Sequence, residues 1–383
     1  MERRSAIVGI GQTPPARRSE HDIRRLAIDA ATAALADAGL RPADVDGIVT
    51  DAVIMPATVP HEYLAAQLGI TRRFDAALSY GGTGIVCAAQ LADLAIRSGQ
   101  AQTVLCYFGV DWGTQPDGPY GFHHAYPAKM AFEIPYGFSG QPSYFALWAQ
   151  RYLHEYGLQP EDLGRIAVNQ RANAIRNGRA QQMTPLTMHG YFESRMISDP
   201  LRAADCCLIS DGACAFVVTS DERARDLRPQ PVRILGSGFA TEPISGDDVF
   251  TQKAEQLVIP GARRAAAHAL GQAGIAIGDI DFAEIYDCFT ISCLMQIEDL
   301  GFCAKGEAAA FVREAGTTTD GRLPVNTHGG LLSHSYLLGA EHVVEAVRQL
   351  RGEAGAAQVR DARIGLVSGL SVPDYGVLIL GRA

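Results

Sequence analysis

The sequence predicts a globular α/β protein composed of two similar halves. Strand-like apolar runs alternate with helix-like amphipathic runs, which is typical of a parallel α/β sheet. Residues 34–46, with the letters ALADAGLRPADVD, recur at an offset of 235 residues as ALGQAGIAIGDID at 269–281. With 383 residues, 47% of them hydrophobic and 20% charged, the chain can bury the core of two or more domains. The duplication therefore predicts two packed α/β units with the ligand site between them.

The first half contains the predicted elements in alternation. We expect strands at 5–11, 45–50, 75–78 and 103–108, and helices at 22–37, 62–68 and 83–98. Gly39 follows the first helix and is expected to cap it, because glycine tolerates the left-handed conformation found at helix ends. Residues 211–218 are again apolar and are expected to lie in the core. A charged, proline-containing link at 220–231 separates the halves.

Residues 112–200 differ from the rest in being rich in aromatic residues, glycine, proline and histidine, with helix-like pieces at 144–156 and 161–176. Long segments of this kind in a compact protein usually carry function, so we interpret them as a loop domain inserted over the ligand end of the sheet. The predicted units are an N-terminal half of residues 1–111 and 201–225, the inserted loop domain of residues 112–200, and a C-terminal half of residues 226–383.

Composition excludes several classes of function. The net charge of −9 is spread along the chain, so nothing resembles the basic footprint of a nucleic-acid-binding protein. Eight cysteines show neither C-x-x-C pairs nor the spacings of a zinc site, so we expect no metal in this chain and a reducing, cytoplasmic compartment. Every apolar run is too short for a signal peptide core or a membrane span, so neither is expected.

The candidate active site begins where an apolar run at 279–285 meets the polar residues 286–290. Ligands of open α/β sheets bind at the carboxyl ends of strands, and a helix-like run at 292–300 follows. A second polar stretch, Asn326-Thr-His-Gly-Gly330, leads into Ser335-Tyr-Leu-Leu-Gly339. We expect these stretches to form two walls of one site.

Four motifs occur in order along the chain: Ile197-Ser-Asp-Pro200, Ser210-Asp-Gly-Ala213, Tyr286-Asp-Cys-Phe289, and Asn326-x-x-Gly-Gly330 followed by Leu338-Gly-Ala340. Together with the duplication, they resemble the thiolase superfamily, in particular its sterol-carrier-protein and lipid-transfer-protein branch. The resemblance covers nearly the whole chain. It implies a five-layered α/β/α/β/α fold, a homodimer, and a coenzyme A thioester as substrate.

Three departures from the family pattern change the expected chemistry. Thiolases need a nucleophilic cysteine at the start of a buried helix, and Gly81 stands at that place, while Cys87 lies more than a turn further on. Tyr286 and Tyr336 replace the two active-site histidines of the family. This pattern resembles that of the steroid side-chain-cleaving aldolases of the thiolase-like branch, which carry tyrosines at both places.

A pair of tyrosines without a nucleophile is suited to retro-aldol cleavage, which needs a proton acceptor, a proton donor and an oxyanion site. The resemblance implies that Tyr286 and Tyr336 are the acid/base pair acting on a bulky, steroid-like β-hydroxyacyl-CoA. With a reference pKa near 10, a tyrosine can donate readily, and can act as a base if its neighbours hold the phenolate. The missing cysteine side chain is expected to leave room for the substrate.

Further residues are expected to support the pair. The candidates for orienting the tyrosines or for binding the thioester oxygen are Asp287, Asn326, His328, His334, Gly81, Gly82 and Gly330. The resemblance also implies a partner of the DUF35 type, an OB-fold with a zinc ribbon, which would form a heterotetramer with the homodimer. Coenzyme A enters as part of the substrate, no resident cofactor is expected, and any zinc would be in the partner. The aromatic residues of 112–148 are candidates for acyl-chain or partner contacts.

Two other functions remain open from the sequence. The chain would be a non-catalytic acyl-CoA-binding subunit if the missing nucleophile means lost activity. It would be a thiolase or acyltransferase if Cys87 or Cys288 had taken over the role of the nucleophile.

Overall fold

The computed structural model describes residues 4–383 except 52–58, 117, 121–126, 139, 228–229, 245–247, 249, 252, 254 and 256. The strands in this part of the chain are β1 Ser5–Gln12, β2 Gly47–Asp51, β3 Phe74–Leu78, β4 Thr103–Asp111, β5 Met196–Ser198, β6 Leu201–Arg202, β7 Asp211–Ser220, β8 Val232–Thr241, β9 Phe282–Glu284, β10 Ile364–Ser371 and β11 Asp374–Arg382. The α-helices are α1 Ile23–Ala38, α2 His61–Leu68, α3 Gly84–Arg97, α4 Pro127–Phe132, α5 Gln141–Tyr156, α6 Pro160–Asn177, α7 Met188–Glu193, α8 Asp221–Ala224, α9 Ala262–Ala273, α10 Thr290–Asp299, α11 Ala308–Ala315, α12 Gly330–Ser333 and α13 Ala340–Arg351.

Nine strands form one mixed sheet in the order β3-β2-β4-β7-β1-β8-β11-β10-β9, and β5 and β6 form a separate small hairpin. The two halves of the large sheet meet between β1 and β8. That junction consists of two residue pairs, Ala6 with Arg233 and Ile7 with Val232, whereas the β1–β7 and β8–β11 ladders are much longer. Few interstrand hydrogen bonds therefore join the two halves, so the helices packed between them must provide most of the contact that holds them together.

The strand order is the same in both halves. In the first half, β2 pairs in parallel with β3 and β4, and β7 pairs antiparallel with β4 and β1. In the second half, β9 pairs in parallel with β10, and β11 pairs antiparallel with β10 and β8. An isolated parallel bridge from Ala283 to Val325 stands where β3 stands in the first half. The predicted internal duplication is confirmed.

The same close approach of helix to strand occurs in both halves. A Cβ on Gly9 of β1 would lie 2.2 Å from the carbonyl oxygen of Ala34, and a Cβ on Gly236 of β8 would lie 2.2 Å from that of Ala269. Ala34 and Ala269 are equivalent positions of the sequence repeat. Small residues on both surfaces let α1 and α9 pack closely on the outer faces of the sheet.

Helices α3 and α13 form the layer between the halves. Helix α3 contacts β2 and β4 of its own half and also β10 and β11, while α13 contacts β9 and β10 of its own half and also β1 and β7. Of the twelve residues of α13, only Arg348 is not buried, so this helix has little solvent-facing surface. The outer helices, the two halves of the sheet and this central layer give the layered α/β fold that was expected.

Residues 112–200 contain α4 to α7 and part of the small hairpin, and the expected helical pieces at 144–156 and 161–176 correspond to α5 and α6. Helix α6 contacts α10, α11 and α12, so this segment packs against the part of the C-terminal half that follows β9. The boundaries of the three predicted units stay a prediction. Within the described residues, no helix combines the length and the apolar character that crossing a membrane would require.

Candidate active site

The hydroxyl groups of Tyr286 and Tyr336 form a hydrogen bond of 2.9 Å. Tyr286 follows the end of β9 by two residues, and Tyr336 lies in the turn between α12 and α13. The two rings meet edge to face, with their centroids 6.3 Å apart. The structure therefore brings together the two stretches that the sequence predicted to be walls of one site.

The backbone of Tyr286 is held by a small polar network. Its amide donates to Ser368 Oγ at 3.0 Å, and its carbonyl oxygen accepts from Gln296 Nε2 at 2.7 Å. Ser368 Oγ and the Tyr375 hydroxyl each donate to Gln296 Oε1 at 2.8 Å. Sequence reasoning missed the roles of Ser368, Gln296 and Tyr375, although Gln296 lies in the helix-like run expected at 292–300. All four residues are buried, so the network fixes the position of the Tyr286 backbone, from which the phenol ring extends.

Tyr336 is positioned by one contact from the N-terminal half and one from the start of the inserted segment. Its amide donates to Ser210 Oγ at 3.0 Å, and Ser210 belongs to one of the motifs that carried the family resemblance. The ring of Trp112 packs against the Tyr336 ring with centroids 4.6 Å apart. Trp112 had been expected to contact an acyl chain or a partner, but here it is buried and supports the tyrosine.

The space beside Gly82 is filled by the Tyr286 ring. A Cβ on Gly82 would lie 2.5 Å from the Tyr286 hydroxyl oxygen and 2.2 Å from the carbonyl oxygen of Leu370. On the other side of the ring, a Cβ on Gly339 would lie 3.1 Å from Tyr286 Cδ2. The Tyr286 ring therefore fills the space beside Gly82, while the expectation that the missing cysteine side chain at position 81 leaves room for substrate stays a prediction.

Gly81 is in the left-handed conformation, with φ of 70°, which disfavours a side chain at the position where thiolases carry their cysteine. Its amide donates to Asp51 Oδ2 at 2.9 Å, as does the amide of Tyr80. The predicted use of the Gly81 amide for the thioester oxygen is therefore wrong in this structure, because a carboxylate already accepts that hydrogen bond. Gly82 and Gly330 remain the candidates for this role.

Burial raises the pKa of Tyr286 well above its ordinary value of 10, and the neighbouring Tyr336 adds to the effect. The pKa of Tyr336 is also raised well above 10, chiefly by burial. The condition under which a tyrosine could act as a base through its phenolate, namely neighbouring groups that hold the phenolate, is not met in this state of the site. Both tyrosines are neutral hydroxyls at physiological pH, each able to donate one proton and accept another.

None of the eight cysteines has the lowered pKa that a thiolate nucleophile requires. Burial raises the pKa of Cys87 and of Cys288 to about 12, and the pKa values of the other six thiols are raised for the same reason. Cys288 is next to the site and its thiol lies 3.6 Å from Ser292 Oγ, but burial and the neighbouring Asp287 carboxylate both raise the pKa of that thiol. The relocated-cysteine alternative therefore has no support in the structure.

Asn326 and Asp287 act on the polypeptide backbone around the tyrosines. Asn326 Oδ1 accepts from the amide of Ile285 at 2.6 Å, and Asn326 Nδ2 donates to the Ile285 carbonyl oxygen at 2.9 Å. Asp287 accepts from the amide of Leu331 at 2.9 Å, at the start of α12. A Cβ on Gly330 would lie 2.2 Å from Asp287 Oδ2, so only glycine fits there. These predicted residues position the two walls through the main chain.

The predicted histidines lie in a buried cluster behind the tyrosines. His328 Nδ1 lies 3.0 Å from Glu284 Oε2, and His342 Nδ1 lies 3.7 Å from the same oxygen. The His334 ring packs against His328 with centroids 4.7 Å apart, and its Nδ1 lies 2.8 Å from Ser335 Oγ. One ligand atom from each of Glu284, His328 and His342 lies within 4.8 Å of the others, close enough for the three to bind one metal ion. Glu284 and His342 were not predicted.

Comparison with known proteins places this architecture in a family. Residues 246–382 match the family model described as the thiolase C-terminal domain-like family. A steroid side-chain-cleaving aldolase of Thermomonospora curvata is 37% identical in sequence to this protein, and the match covers 98% of this chain and 97% of the aldolase. A 17-hydroxy-3-oxo-4-pregnene-20-carboxyl-CoA lyase of Mycobacterium tuberculosis is 35% identical over 98% of this chain and 99% of its own. The solved structure of an Ltp2-ChsH2(DUF35) aldolase superposes on this protein with a TM-score of 0.91 and 36% sequence identity. The match covers 99% of this chain and 98% of the aldolase chain.

The duplicated layered fold, with glycine at the place of the nucleophile and two tyrosines in contact, defines a thiolase-like protein with altered chemistry. The chain belongs to the thiolase superfamily, in the branch that contains the steroid side-chain-cleaving aldolases. The predicted family and fold are confirmed.

Proposed function

We propose that this protein is a carbon–carbon lyase, a retro-aldolase that cleaves the Cα–Cβ bond of a bulky β-hydroxyacyl-CoA. The observation that carries the proposal is the 2.9 Å hydrogen bond between the Tyr286 and Tyr336 hydroxyls, beside Gly82, which follows the position of the thiolase nucleophile. The names of the relatives support a steroid side chain as the substrate class. The products are then a ketone and a shortened acyl-CoA, formed without an acyl-cysteine intermediate.

The raised pKa values favour a proton relay over a stable phenolate. One tyrosine oxygen accepts the proton of the substrate's β-hydroxyl while its own proton moves to the oxygen of the other tyrosine. In the same step the second tyrosine gives its original proton to Cα, so neither phenol oxygen carries two protons. The β-carbon becomes the ketone carbonyl, and the electron pair of the Cα–Cβ bond, which develops thioester enolate character as that bond breaks, takes up the proton at Cα. Both tyrosines end the cycle neutral, so the pair acts as general acid and base without changing its charge.

The enolate oxygen needs hydrogen-bond donors, because negative charge develops there as the bond breaks. We assign this role to the main chain near Gly82 and Gly330, which border the Tyr286 ring and the start of α12 respectively. Asn326 and Asp287 position the two walls through their backbone contacts, and His328 and His334 lie behind them.

The assembly of the protein is part of the proposal. The solved aldolase names a DUF35 component, and we propose a partner of that type for this chain. We also propose a homodimer, giving a heterotetramer with the partner. Strand β3 supports this because it is an edge of the nine-stranded sheet and its residues are half-buried or exposed, which leaves backbone groups able to pair with another strand. The eight free cysteines support the cytoplasm as the compartment.

Product analysis by mass spectrometry tests the function. The purified chain, alone and with a DUF35-type partner, is incubated with a β-hydroxyacyl-CoA that carries a tertiary hydroxyl on a steroid side chain. Wild type and the Cys288→Ala variant should release the ketone and the shortened acyl-CoA in equal molar amounts. Tyr286→Phe and Tyr336→Phe should each lower the rate by about 100-fold or more, because each breaks the relay. Cleavage at wild-type rate by both tyrosine variants would refute the assignment.

A non-catalytic acyl-CoA-binding subunit is the second candidate. Two cavities on the described surface, of about 250 and about 500 Å³, are lined by residues other than Tyr286 and Tyr336. Binding of the acyl-CoA without cleavage, both alone and with the partner and over several ring systems, would favour this second function.

A further inference from the structure

We propose that Glu284, His328 and His342 form a buried binding site for a divalent metal ion, with zinc as the ion that fits best. This goes against the expectation of no metal, which rested on cysteine spacings. The three residues come from different elements: Glu284 ends β9, His328 precedes α12, and His342 is in the first turn of α13. No short sequence motif reports a ligand set assembled in this way.

The distances fit one shared ion. His328 Nδ1 and His342 Nδ1 lie 3.0 and 3.7 Å from Glu284 Oε2, and the two imidazole rings are nearly perpendicular, with centroids 5.1 Å apart. Zinc binds imidazole nitrogen and carboxylate oxygen at about 2.0–2.2 Å, so tetrahedral ligand atoms lie about 3.3 Å apart. The observed separations lie on either side of that value. Small shifts of the side chains would place the three atoms at three tetrahedral positions, with a water molecule as the fourth ligand.

The atoms that face one another lack other partners. Within the described residues, Glu284 Oε2, His328 Nδ1 and His342 Nδ1 are buried and have no hydrogen-bond partner of acceptable geometry. The other carboxylate oxygen, Glu284 Oε1, is occupied by the Thr327 hydroxyl at 2.7 Å and the Thr327 amide at 3.1 Å. Buried polar atoms are normally satisfied, so three unsatisfied atoms converging on one point indicate a missing ligand.

The charges around the cluster also favour a cation. Glu341 and Glu345 of α13, together with Glu284 and Asp287, place four carboxyl groups in a volume where each is at most 1% exposed. Arg348 reaches only one of them, with Nη1 3.8 Å from Glu345 Oε2. Buried carboxyl groups are paired, coordinate a metal or take up a proton, and a divalent ion at Glu284 would pair this carboxylate in a compact form.

Groups around the site are placed as partners of the metal ligands. Asp287 Oδ1 lies 3.5 Å from His342 Nε2, the nitrogen that does not face Glu284, in an ion-pair contact without hydrogen-bond geometry, and the Thr327 hydroxyl donates to Glu284 Oε1. A closer approach of Asp287 on metal binding would give the carboxylate–histidine–metal arrangement that fixes the tautomer and the direction of the imidazole. The bound ion would link β9, the 326–330 turn and α13 behind the tyrosine pair. Because Glu284 is two residues before Tyr286, the role of the ion is to position the wall of the site that carries Tyr286.

Metal analysis of the whole chain tests the site. The protein is expressed without a partner, stripped with a chelator, incubated with zinc sulfate, freed of excess zinc by gel filtration and measured by inductively coupled plasma mass spectrometry. Wild type should hold about one zinc ion per chain. His328→Gln and His342→Gln should each hold less than about a tenth of that, and Thr327→Val should bind about 10- to 100-fold more weakly. His334→Gln is the matched control, since His334 adjoins His328 outside the ligand set, and it should keep its zinc.

Cobalt(II) gives a measurement on the wild type that does not depend on the folding of variants. Cobalt-loaded protein should show d–d absorption of a four-coordinate nitrogen and oxygen site. A sulfur-to-cobalt charge-transfer band would show that cysteines hold the ion and would overturn the proposal. So would a wild-type chain that retains no zinc or cobalt after loading, or a folded double variant, His328→Gln with His342→Gln, that retains as much zinc as wild type.

Discussion

Gly82 and the Tyr286 side chain share one space: a Cβ added to Gly82 would lie 2.5 Å from the tyrosine's hydroxyl oxygen. In a thiolase, the adjoining position carries the nucleophile. Here the phenol is placed beside the turn that leads into α3, and the glycine is what admits it. Glycine at position 82, next to the position of the lost nucleophile, and the tyrosine at 286 are therefore linked sterically.

Gly82→Ala should consequently inactivate the enzyme. The methyl group must displace either the Tyr286 ring or the backbone at Leu370, and a shift of about 1 Å at a reacting group can cost about 100-fold in rate. We expect kcat/KM for thioester cleavage to fall by about that factor, and overpacking to lower the free energy of unfolding by about 1–3 kcal/mol. Gly271→Ala is the control, because a Cβ there meets no atom within 4 Å. Equal kinetics for the two variants would contradict the steric link.

Asn326→Ala should destabilise the protein. Asn326 adopts a left-handed φ of 51° and makes two hydrogen bonds with Ile285, the residue before Tyr286. Losing both bonds at a strained backbone position should cost about 2–5 kcal/mol, measured by urea unfolding. Asp361→Ala is the control. Asp361 is exposed and has a similar φ of 53°, so its substitution measures only the free-energy cost of placing alanine in a left-handed conformation. If the two variants lose the same stability, the side-chain bonds of Asn326 contribute nothing.

Trp112→Phe should affect catalysis more than stability. The Trp112 ring packs on Tyr336, and a smaller ring lets Tyr336 move away from Tyr286. We expect kcat/KM to fall on the order of tenfold to 100-fold, measured with saturating partner. Trp148→Phe changes the chain's other tryptophan, which is buried against Phe250, and should lower stability while sparing the rate. A larger rate loss in the Trp148 variant would refute the role given to Trp112.

The fold and the meeting of the two tyrosines could be predicted from the sequence because both follow from local patterns, the repeat and the motifs. The repeat around Gly39 and Gly274 marks equivalent helix ends, and both glycines do cap α1 and α9 in the left-handed conformation. Tyr286 and Tyr336 stood in motifs with a family resemblance, and the shared fold brings those motifs together.

Other features of the site depend on contacts between distant segments, which no local pattern reports. Gln296 accepts hydrogen bonds from Ser368 and Tyr375, yet reads in the sequence as one polar residue of a helix. The engagement of the Gly81 amide by Asp51 depends on β2 ending beside the turn before α3. The cluster of Glu284 with two histidines likewise arises only when three elements meet in the core.

Asp205 should make stability depend on pH between about 4 and 6. It is fully buried, accepts hydrogen bonds from Tyr191, Thr290 and the Arg202 amide, and burial raises its pKa from 3.8 to about 6. The folded state therefore binds the proton more tightly than the unfolded state. Stability from this group is full below the unfolded pKa and is lost as pH rises through the folded pKa, by about 3 kcal/mol in total.

Asp205→Asn should remove that slope. The amide oxygen can accept from Tyr191 and the Arg202 amide, and the amide nitrogen can donate to the Thr290 hydroxyl, so the packing is kept without a titrating group. In urea unfolding at pH 4, 5, 6 and 7, wild type should lose stability relative to the variant as pH rises. Asp226→Asn, at an exposed carboxylate, should follow wild type. Parallel curves for wild type and Asp205→Asn would show that the carboxyl is already ionised in the folded protein throughout this range.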